Sequence, residues 1–124
     1  MPPDFRTGYP EAPETYRRLS REILGETEGV LFDPALTEMG PAFFERIFAP
    51  ALTAAEKHGA PLYCGEYGVI DLADNPSKLH WLRDIHSVFK KHGIGHALWN
   101  YKEKDFGLVD ARFASIREEF IKIV

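Results

Sequence analysis

The stretch PLYCGEYGVID, residues 61–71, sets one carboxylate, Glu66, between Gly65 and Gly68 at the end of a short apolar run. Glycines on either side let a ligand or a neighbouring backbone come close to the acid. Further along, GIGHALWNYKEKDFGLVD ends a second apolar run in Trp99 and Tyr101, followed by Lys102 and Glu103. A carboxylate beside an indole suits a sugar, because the apolar face of the ring stacks on the indole while the acid reaches the anomeric carbon. Each residue also has a plainer reading. Trp99 is either a sugar platform or core, since indole buries well. Tyr67 and Tyr101 adjoin the acid and the indole, and a tyrosine at a strand end serves a ligand or half fills a core. Lys102 and Glu103 either hydrogen-bond sugar hydroxyls in a neighbouring subsite or form a solvated charge pair. Asp71 bonds hydroxyls or caps its loop, with capping favoured. Trp81 and Cys64 read as packing residues, the cysteine as a buried, inert thiol.

These residues need elements to hold them. Residues 1–13, MPPDFRTGYPEAP, carry four prolines and no apolar periodicity, which predicts an extended loop that something else pins. Pro13 to Gly25 reads as a short helix, with Tyr16, Leu19 and Ile23 at helical spacing. Residues 41–58 predict a second helix with Phe44, Ile47, Phe48, Ala51, Leu52 and Ala55 inward and a kink at Pro50. Residues 61–66 are too short and too glycine-broken for a helix and predict a buried parallel strand. NPSKLHWLRDIHSVFKKHG predicts a third helix packed through Leu79, Leu82, Ile85, Val88 and Phe89. Residues 94–100 predict a second buried strand, and Ala111 to Val124 a last helix with Phe113, Ile116, Phe120 and Ile123 inward. Alternation of helix and strand, with crossovers long enough to force parallel pairing, is the α/β pattern. Ligands in such folds gather at the C-terminal ends of the strands, where Glu66 and Trp99 both fall.

Composition narrows the partners. The chain has 124 residues, 44% of them hydrophobic, which suits one globular domain. A formal net charge of −4 provides no basic field for nucleic acid or an anionic membrane. No apolar run is long enough to span a membrane, and the N-terminus lacks the basic-then-apolar layout of a signal peptide, so the sequence assigns no location. A single cysteine allows no internal disulfide and no CxxC pair. Of the five histidines, His92 and His96 are separated by helix-breaking glycines, and His80 and His86 face different sides of one helix; no metal or other cofactor is expected.

The pair of motifs YCGEYGVID and GIGHALWNYKEKDFGLVD resembles the last two strands of glycoside hydrolase family 5, the cellulase-like (β/α)8 barrels that hydrolyse β-glycosides with retention. The likeness covers roughly residues 41–124, the last βα units, with residues 1–40 a loop and short helix before them. It implies that Glu66 is the nucleophile at the end of the seventh strand and Trp99 the floor of the sugar subsite at the end of the eighth. It implies a β-glucan oligosaccharide as substrate. A complete barrel takes about 250 residues, and retention needs a second carboxylic acid about 5 to 5.5 Å from the first. The family draws that acid from an Asn-Glu pair, whereas Asn75 and Asn100 here precede Pro76 and Tyr101. The family's histidine and tyrosine near the fifth and sixth strands have no counterpart either. The expectation is therefore a C-terminal portion of a TIM barrel, a single partial domain that pairs with a missing N-terminal half or with itself. The alternatives are a noncatalytic carbohydrate-binding remnant and a small α/β interaction domain.

Overall fold

The computed structural model describes residues 7–124. Helix α1 spans Pro13–Leu19, α2 Pro41–His58, α3 Asn75–His92 and α4 Arg117–Ile121; strand β1 is Tyr63–Tyr67 and β2 is Gly95–Leu98. The strands pair in parallel as a two-stranded sheet, with α3 as the crossover between them.

Helix α3 is the organising element. Asp74 caps it by accepting a hydrogen bond from the Ser77 amide at 2.9 Å, Pro76 sits in its first turn, and Gly93 ends it in the left-handed conformation. Its predicted stripe, Leu79, Leu82, Ile85, Val88 and Phe89, is fully buried and meets Phe44, Tyr67, Ile94, Phe113, Ile116 and Phe120 in one cluster. Helix α2 joins through aromatic contacts, Phe44 edge-on to Trp81 and Phe48 stacked on Phe89. Ile47 and Ala51 of the expected inward face point out instead, since the arc of α2 that meets α3 is the narrower one through Phe44, Phe48 and Leu52. The helix runs on through Pro50.

The lead is held by α3. The Tyr9 amide donates to Ser77 Oγ at 2.8 Å and the Tyr9 hydroxyl to Asp84 Oδ2 at 2.7 Å. Residues 1–6 of the predicted loop lie outside the described residues. Helix α1 passes into a wider π turn over Ser20–Leu24 before Gly25 closes it. Arg17 then fixes the following loop by donating to the carbonyls of Leu31, Asp33 and Leu36.

Three other expectations are corrected. The strands begin and end slightly differently, at 63–67 rather than 61–66 and at 95–98 rather than 94–100. The predicted last helix is a 3-10 segment, Ala111–Ile116, followed by α4; Phe113, Ile116 and Phe120 are nonetheless buried as expected. Neither strand is buried on both faces: Tyr63 is 65% exposed, and Gly65, Glu66, Gly95 and His96 are also exposed. Helices cover one face of the sheet only, so the apolar strands that suggested two-sided burial are covered on the helix side alone.

Beneath the sheet, His86 is buried against Tyr67, His96, Phe89 and Phe120. Burial, with a smaller contribution from nearby His96, lowers its pKa from 6.5 to about 4. The unfolded chain therefore binds a proton at His86 as pH falls below 6.5, while the folded chain does not until about pH 4. Stability contributed by neutral His86 is full above pH 6.5 and is lost toward pH 4, by roughly 2 to 3 kcal/mol. Urea denaturation from pH 7 to 4 should show this loss, and His86→Gln, which keeps a hydrogen-bonding side chain but does not titrate, should flatten the profile. An unchanged acid limb in that variant would assign the loss to other groups.

Candidate active site

The end of β1 departs from regular pairing. Cys64 pairs with His96 and Tyr67 with Leu98, so β1 advances three residues where β2 advances two. The extra residue changes the alternation of side chains. Cys64 and Tyr67 both pack on the helix side, and Glu66, between them in sequence, is exposed. The carboxylate thus stands clear of the helix-side core, and it takes part in none of the ion pairs among the described residues.

The end of β2 is tied to the same point. The Trp99 amide donates to the Tyr67 carbonyl at 2.7 Å, which holds the backbone of the indole-bearing residue against the residue after Glu66. Gly68 permits this approach: a Cβ there would collide with the Trp99 carbonyl oxygen and lie 3.2 Å from the Phe106 ring. The Trp99–Asn100 peptide is cis. Trp99 is 42% exposed and Tyr101 72%, so both rings face solvent beside the strand ends.

Lys102 and Glu103 lie on the exposed loop that follows. That loop is pinned at its base by Leu108 and Val109 amides donating to the carbonyls of Asn100 and Tyr101, and by the Glu103 amide donating to Asp110 Oδ2 at 2.8 Å. Glu103, Lys104 and Asp105 have φ between 57° and 64°, a left-handed run. Its far side meets the loop after β1, where the Asp71 amide donates to the Asp105 carbonyl at 2.6 Å.

The structure therefore brings Glu66, Trp99, Tyr101, Lys102 and Glu103 to the same end of the sheet. Tyr67 is placed differently: it is buried, and its hydroxyl lies 2.6 Å from His86 Nε2. Burial raises its pKa to about 12, so the phenol is protonated at neutral pH. Asp71 ties its loop through its backbone, its amide donating to the Asp105 carbonyl and its carbonyl accepting from Lys78 Nζ. Cys64 is half-buried, and burial pushes its thiol above the ordinary value.

Two residues stand out that lie outside the expected site, Lys78 and His86, the second weighed in the sequence only as a metal ligand. Both lie on the buried stripe of α3, Lys78 one residue before Leu79 and His86 four after Leu82. Lys78 is 1% exposed and donates from Nζ to the Asp71 carbonyl at 3.0 Å, fastening the loop after β1 to the helix; burial lowers its pKa. A polar side chain on an apolar stripe is the signal that finds such residues, because burial requires it to have a partner.

Two surface hollows lie away from Glu66. One is below the strand N-termini among Glu45, Leu52, Leu62 and His92, and another is among Tyr9, Tyr16, Phe43 and Trp81. The site is an open strand-end face.

No protein-family model matches the chain. Over 58 residues, 47% of the chain, it is 50% identical to cellodextrinase A of Ruminococcus flavefaciens. Over 75 residues, 60% of the chain, it is 39% identical to endoglucanase C of Acetivibrio thermocellus. Over these stretches the chain is similar to cellulase-type glycoside hydrolases. It spans only 17% and 22% of the lengths of those two relatives. Among solved structures it is similar in fold to Thermotoga maritima Cel5A in complex with cellobiose, with a TM-score of 0.57 at 20% identity over 85% of this chain and 32% of that one. The same enzyme in complex with mannotriose gives 0.56 at 22% identity, over 82% and 31%. The parallel strands and flanking helices thus have the fold of part of a TIM barrel, in which the strands' helix-free side corresponds to the barrel interior.

Gly68→Ala tests the close approach of the two strand ends. The added methyl group has no room beside the Trp99 carbonyl, so the variant should lose about 1–3 kcal/mol of stability by urea denaturation and shift Trp99 fluorescence. Unchanged stability and emission would mean that the strand ends are not held this closely.

Proposed function

We propose that the chain contributes the nucleophile side of a retaining β-glucanase site. The observation that supports this most is Glu66 on the helix-free face at a strand's C-terminal end, beside the exposed indole of Trp99. In the reaction, a Glu66 carboxylate oxygen bonds to the anomeric carbon as that carbon's bond to the glycosidic oxygen breaks. The departing oxygen takes a proton from a carboxylic acid, and water then hydrolyses the glycosyl ester with the conjugate carboxylate acting as base. The acid/base is assigned to a carboxyl group outside these 124 residues. Trp99 supports the sugar at the bond being cleaved, and Tyr101, Lys102 and Glu103 face the neighbouring sugar. Tyr67 supports the site from the core. The substrate is a β-glucan oligosaccharide, as suits relatives named endoglucanase and cellodextrinase.

A binding-only reading draws on the exposure of Trp99 and Tyr101 and of Glu66. Covalent trapping separates the two. In a complete barrel carrying this segment, a dinitrophenyl 2-deoxy-2-fluoro-β-cellobioside, whose leaving group departs without protonation, should label the peptide containing Glu66. Glu66→Gln should remove the label and lower turnover by several orders of magnitude while sugar binding persists. Label on a different carboxylate would remove the assignment. Trp99→Ala should weaken oligosaccharide binding and slow turnover together, and unchanged affinity would return the indole to a packing role.

The 124-residue chain by itself should not hydrolyse carboxymethylcellulose measurably, since leaving-group protonation alone contributes about 10²- to 10⁴-fold. The exposed apolar side chains of Tyr63, Ile70, Leu72 and Tyr101 should also drive self-association, visible by size-exclusion chromatography. A stable monomer with ordinary hydrolysis would place the acid within the chain, with Glu103 and Asp105 the nearest candidates in sequence to Trp99.

A further inference from the structure

We propose that His86 is a positioning residue for the strand-end site, acting through Tyr67 to hold Glu66 and Trp99 in register. The proposal rests on the nucleophile reading of Glu66 for its importance but not for its test. Four observations converge on Tyr67. It closes the irregular stretch in which β1 carries one more residue than β2. Its side chain is buried on the helix side while Glu66, the preceding residue, is exposed. Its carbonyl accepts the Trp99 amide at 2.7 Å. Its hydroxyl meets His86 Nε2 at 2.6 Å within the buried cluster.

An extra strand residue can be accommodated at more than one position, and each shift by one residue exchanges the faces of the side chains it passes. Fixing Tyr67 inward therefore decides which way Glu66 points. Apolar burial alone would hold a phenyl ring about as well as a phenol. The hydroxyl adds a directional bond to a rigid helix, and withdrawing Tyr67 would leave His86 Nε2 buried without a partner. The imidazole is packed by the rings of Tyr67 from β1, His96 from β2, Phe89 from α3 itself and Phe120 from α4. The Tyr67–His86 bond is the polar link between the helix that anchors the core and the strand that carries the acid.

The test uses a complete barrel carrying this segment and needs no catalysis. Amide hydrogen exchange is followed by NMR at Trp99, whose amide reports the bond to Tyr67, and at Val88, in the buried stripe of α3. The carboxyl carbon shift of Glu66 is recorded on the same samples. Tyr67→Phe and His86→Phe should speed exchange at Trp99 about tenfold relative to Val88 and move the Glu66 signal. His86→Gln, which can still bond the phenol, should restore both to within about twofold of the parent. The expected tenfold corresponds to about 1.4 kcal/mol of local opening. If Trp99 and Val88 change in parallel in every variant, the pair merely supports global stability and the proposal fails. It fails equally if Tyr67→Phe leaves Trp99 exchange and the Glu66 signal unchanged, or if His86→Gln behaves like His86→Phe. Because covalent labelling of Glu66 is a separate measurement, loss of the nucleophile assignment would leave this result standing, and the reverse also holds.

Discussion

Parallel pairing of β1 with β2 is the constraint from which the other features follow. Neighbouring parallel strands cannot be joined by a tight turn, so the chain must leave the end of β1, cross one face of the sheet and return to start β2 from the same end. Helix α3 is that crossover, and its stripe from Leu79 to Phe89 is apolar because it lies directly on the strands. The return path fixes both strands' C-terminal ends side by side, which places Glu66 near Trp99 although 33 positions separate them in sequence. Helices α2 and α4 then pack against α3, giving the sheet one covered face and one open face.

That asymmetry separates stability from chemistry. The buried aromatics and aliphatics lie on the covered side, with Phe44, Phe89, Phe113 and Phe120 interlocked edge to face or stacked through their neighbours. The exposed acid and indole lie at the strand ends away from that cluster. In a closed barrel the open face is covered by the interior residues of the other strands, and the exposed ring of Tyr63 is the kind of side chain such an interior takes up. The similarity in fold to Cel5A spans about a third of that enzyme's length, as a part of such a barrel would.

Much of this was legible in the sequence because it depends on periodicity and on glycine stops. The α3 stripe, the prolines in the first turns of α2 and α3, and the glycines that end those helices are repeated local signals with a local cause. The positions of Glu66 and Trp99 at strand ends followed from the change of period on either side. What could not be read depends on partners distant in sequence. Burial of β1 and β2 was overestimated because an apolar run reports what a strand can bury and not how many faces are covered. The extra residue in β1 left no trace, since it is defined only against β2. The 3-10 form of Ala111–Ile116 was hidden because Phe113 and Ile116, three apart, fit either helix.

Tyr67 belongs to both sides of the divide. Its ring and hydroxyl are in the core, among His86, Phe89 and His96, and its carbonyl holds the Trp99 amide at the site. Side chains in a close-packed interior have little freedom to shift independently, so displacement of this ring must be transmitted to the backbone on which Glu66 and Trp99 depend. Lys78 does the same for the next segment, joining the interior of α3 to the loop at Asp71, which in turn holds the loop after β2 at Asp105. On the otherwise apolar stripe of α3, His86 and Lys78 are polar where the helix grips the end of β1 and the loop that follows it. An aliphatic residue at either position would serve packing, but it would leave the strand end and its loop without a directional tie to the core.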